Sequence, residues 1–266
     1  MGVAPAGDSR PFPPPTAPPA AFDSEGPERA PKVAEVVARM ILDDADRMSL
    51  QPGDQLMPES KMMELYAVGR ASVREALRIL EVQGVVSIRT GRNGGPVLER
   101  LRTRRVGNSL KLYFQQRRAT YGDVLDARQA IEPQVARRAA TQATGDHERE
   151  IRRLLAEVEQ IGLDEHAKLG AATQRLSAAV GTASENPALA LLVQALRDIY
   201  SWRVHAWFTD ERLWTLLLDQ FRTLAGAIEA GDEEAAHDAM RTALVGEVTF
   251  ARRHFPEVLG ERVHWD

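Results

Sequence analysis

Six residues in two short stretches are the side chains best placed for chemistry: Arg70, Ser72 and Arg74, then Thr90, Gly91 and Arg92. A guanidinium is a planar fork of donors that pairs with phosphate oxygens or with the O6/N7 edge of guanine. Arg70 and Arg74 are four residues apart, so a helix sets them one turn apart on one face, with Ser72 between. Arg78 lies a turn further on, where it serves equally as a solvated charge. Thr90-Gly91-Arg92 reads as a turn whose glycine allows close backbone approach to a narrow groove. A lone arginine pair on a helix is ordinary surface charge. A pair that follows a tight turn and precedes a hairpin with its own arginine points to nucleic acid, recognised rather than chemically altered.

Charge distribution agrees with this locally, although the net charge of −4 does not. From Arg70 to Arg92 five arginines (70, 74, 78, 89, 92) face two glutamates (75, 81). From Arg100 to Arg118 there are six arginines, one lysine and no acid. The C-terminal half carries the balancing acidity.

Catalytic alternatives find little support. With no cysteine, disulfides, thiolate metal sites and a cysteine nucleophile are excluded. There is no phosphate loop and no nucleophile elbow. The six histidines (147, 166, 205, 237, 254, 264) do not cluster by spacing and read as surface or helix-end residues. No run approaches the roughly 20 apolar residues of a membrane span. The N-terminus has neither the basic and apolar regions of a secretory signal nor a hydroxyl residue at position 6 for myristoylation. The expectation is a cytoplasmic protein that is not an enzyme and does not engage a membrane.

The elements that would position these residues can be read from periodicity. Residues 1–30 form a Pro- and Ala-rich tail, with nine of the 15 prolines at or before Pro31, too poor in apolar groups to offset ordering. From Pro31, Val33, Val36, Val37, Met40 and Ile41 recur at helical spacing. Pro52-Gly53 is a turn. A short helix is expected at 59–66, a tight turn at Ala67-Val68-Gly69, and a longer helix at 71–83 with Val73, Ala76, Leu77 and Leu80 inward. Gly84 caps it left-handed. Residues 85–89 alternate as a half-buried strand, 90–95 turn, and Pro96-Val97-Leu98 returns. After about residue 103 almost every pattern is helical, with helices expected at 105–118, 121–142, 147–161, 166–183, 188–208, 212–229 and 233–254. The fold class is therefore mainly α: a winged helix-turn-helix at 31–100, a linker helix at 101–118, and an all-α bundle at 119–256.

Gly53-Asp-Gln-Leu-Met-Pro-Glu59, Arg70-Ala-Ser-Val-Arg-Glu-Ala-Leu77, Leu80-Glu-Val-Gln-Gly84 and the glycine-rich turn together resemble the DNA-binding domain of the GntR family. Leu125-Asp-Ala-Arg-Gln-Ala-Ile-Glu-Pro-Gln-Val-Ala-Arg-Arg-Ala-Ala140 is similar to the first sensor helix of its FadR subfamily, which carries the FCD domain. Ala183-Ser-Glu-Asn-Pro187 and Ala227-Ile-Glu-Ala-Gly-Asp232 are similar to later junctions of that domain. The resemblance spans about 32–255. It implies a homodimeric repressor that binds a palindromic duplex operator and releases it when a small molecule, often a carboxylate, fills the bundle. Two positions depart from the pattern: Ser60 stands where many members have a DNA-touching arginine, and Gly69 where Ser or Thr caps the recognition helix.

Many members of the subfamily hold a divalent metal with an Asp, a His four residues later, and two more histidines. Counting from Asn186-Pro187 and from Ala230-Gly231-Asp232, these positions become Thr173, Ser177, Phe221 and Ala243. Hydroxyls are poor ligands and Phe and Ala offer none, so neither metal nor cofactor is expected. These four positions, with Arg128, are the candidate effector-binding residues. Arg128 matches a family arginine suited to an effector carboxylate, and a salt bridge to Asp126, Glu132 or another helix is equally open. Tyr200, Trp202, Trp207, Phe208 and Trp214 flank one helix junction and read as core or dimer interface before ligand cage. A fatty or aromatic acid or an acyl-CoA is the ligand guess. The competing reading is a ligand-independent DNA-binding protein whose bundle only dimerises.

Overall fold

The computed structural model describes residues 32–91, 94–100, 103–204 and 210–265, the side chains of 104 and 201–204 excepted. Contacts divide the chain into two compact units, meeting between Arg102 and Thr103. The Pro-rich tail and Arg92 lie outside the described residues, as do Trp207, Phe208, His205 and the side chain of Trp202.

In the first unit, α1 (Val33–Arg47), α2 (Glu59–Tyr66) and α3 (Arg70–Gln83) precede an antiparallel pair, β1 (Val86–Arg89) and β2 (Gly95–Leu98). The register pairs Val86 with Leu98 and Arg89 with Gly95. Val37 and Ile41 of α1, Met62 of α2, and Val73, Ala76, Leu77 and Leu80 of α3 bury together. Burying such a side chain fully contributes about 1.5–3 kcal/mol. This stripe explains why these helices form and where they pack. Tyr66 donates to Asp44 at 2.7 Å, tying α2 to α1, while Asp44 also pairs with Arg47. Burial and the adjoining Asp44 carboxylate push the Tyr66 hydroxyl well above its ordinary pKa.

Pro52-Gly53 does turn, with Gly53 at φ 104°, but the residues after it do more than turn. Gln55 bridges to Val97, Gly53 donates its backbone N–H to Leu98 O, Leu56 donates to Pro96 O, and Leu98 donates to Asp54 O. A third extended segment therefore flanks the hairpin, too short and too polar to show an alternating pattern.

The second unit is all helical: α4 (Thr103–Arg117), α5 (Tyr121–Gln142), α6 (Gly145–Glu159), α7 (His166–Ala183), α8 (Pro187–Val204), α9 (Glu211–Ala230), α10 (Glu233–His254) and the short α11 (Pro256–Gly260). Thr120 caps α5 reciprocally with Asp123, and Asp210 and Asp232 cap α9 and α10. Gly231, at φ 69°, ends α9 as a left-handed cap. Helix α4 packs on α8, and α5 packs on α7, α8, α9 and α10. One hydrophobic core runs through this unit. The last residues fold back onto the start of α5: Tyr121 donates to Glu261 O, Val263 donates to Ala119 O, and Val263 is fully buried.

Candidate nucleic-acid interface and effector cavity

Helix α3 has two unlike faces. Val73, Ala76, Leu77 and Leu80 are buried, while Arg70, Arg74 and Arg78 are exposed and Ser72 is half-buried. The helix begins abruptly. Ala67 takes a left-handed conformation at φ 51°, and Gly69 is an extended N-cap with no side-chain hydrogen bond to the first turn. Arg70 thus sits at the first helical position, where an N-terminal side chain of a groove-bound helix meets bases. It has no ion pair among the described residues. Arg74 donates through Nε to Glu59 of α2 at 3.1 Å, with its side chain 65% exposed. That contact engages Nε and leaves both Nη atoms without a partner among the described residues.

Thr90 and Gly91 are exposed at the tip of the hairpin, with Gly91 at φ 116°, a conformation L side chains rarely adopt. Gly94 donates to Gly91 O at 2.9 Å, and a Cβ on Gly94 would sit 2.3 Å from Arg89 O. The tightness of this turn therefore requires glycine. The exposed arginines of α3 and the exposed Arg89, Thr90 and Gly91 of the hairpin belong to one small scaffold.

The second unit holds a partly open cavity of about 60 Å³. Five helices line it: Arg128 comes from α5, Gly170, Thr173 and Gln174 from α7, Arg197 and Tyr200 from α8, Leu217 and Phe221 from α9, and Ala243 and Glu247 from α10, the pairs from α8, α9 and α10 being three or four apart and hence on one face. Four of the five candidate effector residues, Arg128, Thr173, Phe221 and Ala243, are brought together here. Ser177 is buried one turn beyond Thr173 but does not line the cavity. The Thr173 hydroxyl donates back to the Leu169 and Gly170 carbonyls, both at 3.0 Å. Among the described residues no three His, Asp or Glu side chains converge as a metal-holding group. Trp214 is buried in the core, and Tyr200 is in the cavity wall.

One side of the cavity is far more polar than the sequence suggests. Arg128 donates from Nε to Glu132 at 2.7 Å and from Nη1 and Nη2 to Glu247 at 3.1 and 3.3 Å. Glu132 also accepts from Arg197, at 2.5 Å. The Tyr200 ring lies 5.3 Å beneath the Arg128 guanidinium, a cation–π distance. Of the roles open to Arg128, the geometry displays the salt bridge, to Glu132 on its own helix and to Glu247 on another. Burial alone would lower the Arg128 pKa, but the Glu132 and Glu247 carboxylates outweigh it and the net shift is upward. Burial likewise opposes ionisation of Glu132, yet Arg128 and Arg197 hold it below the usual carboxylate range. Burial and the nearby Glu247 push the Tyr200 hydroxyl up.

Glu247 and Arg197 lie outside the set of residues to which the sequence points. A signal for Glu247 exists: the buried stripe of α10 runs through Ala236, Met240, Ala243, Leu244, Val248 and Ala251, and Glu247 falls within that stripe. A charge in an apolar register implies a buried partner. Arg197 offers no comparable signal, because α8 is apolar on several sides.

The family model described as "Bacterial regulatory proteins, gntR family" matches residues 33–93, and that of the "FCD domain" matches 123–245. The Glc operon transcriptional activator of Escherichia coli (strain K12) is 32% identical over 174 residues, 63% of this chain and 65% of that relative's length. The Uxu operon transcriptional regulator of the same strain is 27% identical over 77% of this chain and 80% of that protein. Among solved structures, Streptococcus agalactiae GntR superposes with a TM-score of 0.65 at 22% identity, covering 80% of this chain and 98% of that one, which speaks for the fold. No helix among the described residues is long and apolar enough to cross a membrane. These matches fall on the two units as the geometry divides them, and they belong to transcription regulators rather than enzymes. The chain belongs to the GntR family of bacterial regulatory proteins, with an N-terminal GntR helix-turn-helix and a C-terminal FCD domain.

Proposed function

We propose that this protein is a homodimeric transcription regulator acting in the cytoplasm, which binds a palindromic duplex operator and changes its affinity when a small molecule occupies the helical unit's cavity. The observation that carries the DNA reading is the split of α3: four apolar residues inward and three arginines outward, starting at the first turn. Such a helix fits the major groove, with the hairpin tip beside it for the minor groove or backbone. Arg70, Ser72 and Arg74 are the base- and phosphate-contacting set, with Thr90, Gly91 and Arg92 at the tip. The relatives' names, an operon activator and an operon regulator, support control of a nearby operon and leave its direction to a reporter assay.

The cavity supports the effector half of the reading. A water needs roughly 10–15 Å³ of such volume, so about 60 Å³ suits a ligand of a few heavy atoms rather than a fatty chain or an acyl-CoA. Four of the effector positions expected from the sequence line it, one from each of four helices. Fluorescence anisotropy with DNA from upstream of the protein's own gene tests the whole reading. Binding should weaken steeply as salt rises, because phosphate contacts release counterions. A panel of small metabolites should contain one that moves the affinity. A steep salt response with no effect from any metabolite would favour the bundle as a dimerisation scaffold alone.

A further inference from the structure

Glu59 stands where its charge alone would weaken DNA binding. It opens α2, and a carboxylate in a first helical turn is favoured by the helix dipole, which asks for no partner. Its Oε2 nevertheless reaches across to α3, 15 residues on, and accepts from Arg74 Nε at 3.1 Å. The Glu59 side chain is 34% exposed and that of Arg74 65%, and so exposed a pair adds little to stability. Beside a duplex the same carboxylate repels phosphates. What the pair does change is the geometry of Arg74. A guanidinium can grip two acceptors with Nε and one Nη, or with both Nη atoms. The bond to Glu59 takes the first edge. It leaves the second, whose Nη atoms have no partner among the described residues, for the O6 and N7 of a guanine. Arg70, exposed one turn earlier, has no ion pair among the described residues.

We propose that Glu59 is a positioning residue for sequence readout: by holding Arg74 Nε it fixes the plane of the guanidinium and presents the outer edge to a base. This rests on the reading of α3 as the groove helix. A long exposed arginine otherwise samples many rotamers, and ordering such a side chain on binding costs affinity. Ordering it beforehand recovers part of that cost only where the contact demands one geometry. A base edge demands one. A phosphate, which a guanidinium meets from several directions, does not. Glu59 should therefore raise the preference for the right sequence while its charge lowers the grip on any sequence. Arg70, without a brace, is left to adapt to the backbone.

The test is fluorescence anisotropy of the full chain on two duplexes at one salt concentration. One duplex comes from upstream of the protein's own gene, and the other is a scrambled sequence of the same length and composition. Wild type, Glu59→Ala, Arg74→Ala and the double variant are compared, with thermal melts to show that each is folded. Glu59→Ala should bind the scrambled duplex at least as tightly as the wild type does. Its preference for the upstream duplex should nevertheless fall about three- to tenfold, the cost of one side chain left to be ordered on binding. In the Arg74→Ala background, removing Glu59 should leave the preference unchanged. An undiminished preference in Glu59→Ala would overturn the proposal. So would an equal fall with and without Arg74, which would make Glu59 itself a base-reading group. Should Glu59→Ala fold poorly, Glu59→Gln, which keeps the volume and drops the charge, carries the same decision with a smaller fall. A loss of preference in Arg74→Ala with none in Glu59→Ala would sink the positioning role and leave α3 as the groove helix. No loss in Arg74→Ala would overturn both the proposal and the place of Arg74 in the groove.

Discussion

Replacing Glu132 by Gln should destabilise the helical unit sharply, and the loss should fade in acid. Glu132 is 1% exposed and holds Arg128 at 2.7 Å and Arg197 at 2.5 Å. Glutamine keeps the volume and one acceptor but leaves two cations against the single carboxylate of Glu247. Breaking a buried ion pair from one side costs about 3–5 kcal/mol, and the retained acceptor argues for the lower end. For a domain of this size, 1 kcal/mol is worth about 2–4 °C, so a loss near 3 kcal/mol lowers the Tm by about 6–12 °C. The pH dependence has a definite sign. The folded-state pKa of Glu132 is depressed, so its stabilisation is fully present above the unfolded carboxyl pKa, about 4.3. That stabilisation is lost as pH falls through the lower folded value. Circular dichroism melts between neutral pH and about pH 3 should therefore show a gap between wild type and variant that is widest near neutrality and narrows in acid. A gap under about 1 °C at neutral pH, against the loss expected from an uncompensated buried charge, would refute the reasoning. So would one that stays constant into acid.

Three further outcomes follow from the same geometry. Arg74→Ala should cost about 1–3 kcal/mol of operator binding by anisotropy if its fork makes a bidentate base contact, while its exposed pairing with Glu59 makes the change in melting small; unchanged affinity would remove Arg74 from the interface. Gly69→Ser should stabilise the first unit by a few tenths of a kcal/mol in denaturant unfolding, since Gly69 is extended and a Cβ there meets nothing within 4 Å. Truncation after Phe255 removes fully buried Val263 and the backbone bonds to Ala119 and Tyr121, and should lower the stability of the helical unit by about 3–5 kcal/mol.

Much of this protein is written locally. In the stripe from Val33 to Ile41, Val37 and Ile41 turn inward as the period requires while Val33 at the helix start stays exposed, and the inward set Val73, Ala76, Leu77 and Leu80 and the caps at Gly84 and Gly231 follow from helix period and glycine's access to positive φ. They could be read residue by residue. The exposure of Arg70 and Arg74 follows too, because burying the apolar face of α3 forces the opposite face outward. Chain order likewise separated a hairpin-bearing segment from a helical one. Other features needed the folded chain. The Gln55 bridge to Val97 and the return of Val263 to Ala119 are pairings across many residues, and short segments carry no periodicity to announce them. The cavity's electrostatics are the clearest case. Arg128 and Glu132 are four apart and suggest each other, but Glu247 is 119 residues from Arg128 and Arg197 is 65 from Glu132. Whether an arginine waits for a ligand or is already satisfied depends on which distant helix turns which face toward it. Tertiary packing alone decides that, because the energy of a buried charge is set by the partners within a few ångströms and not by its neighbours in sequence.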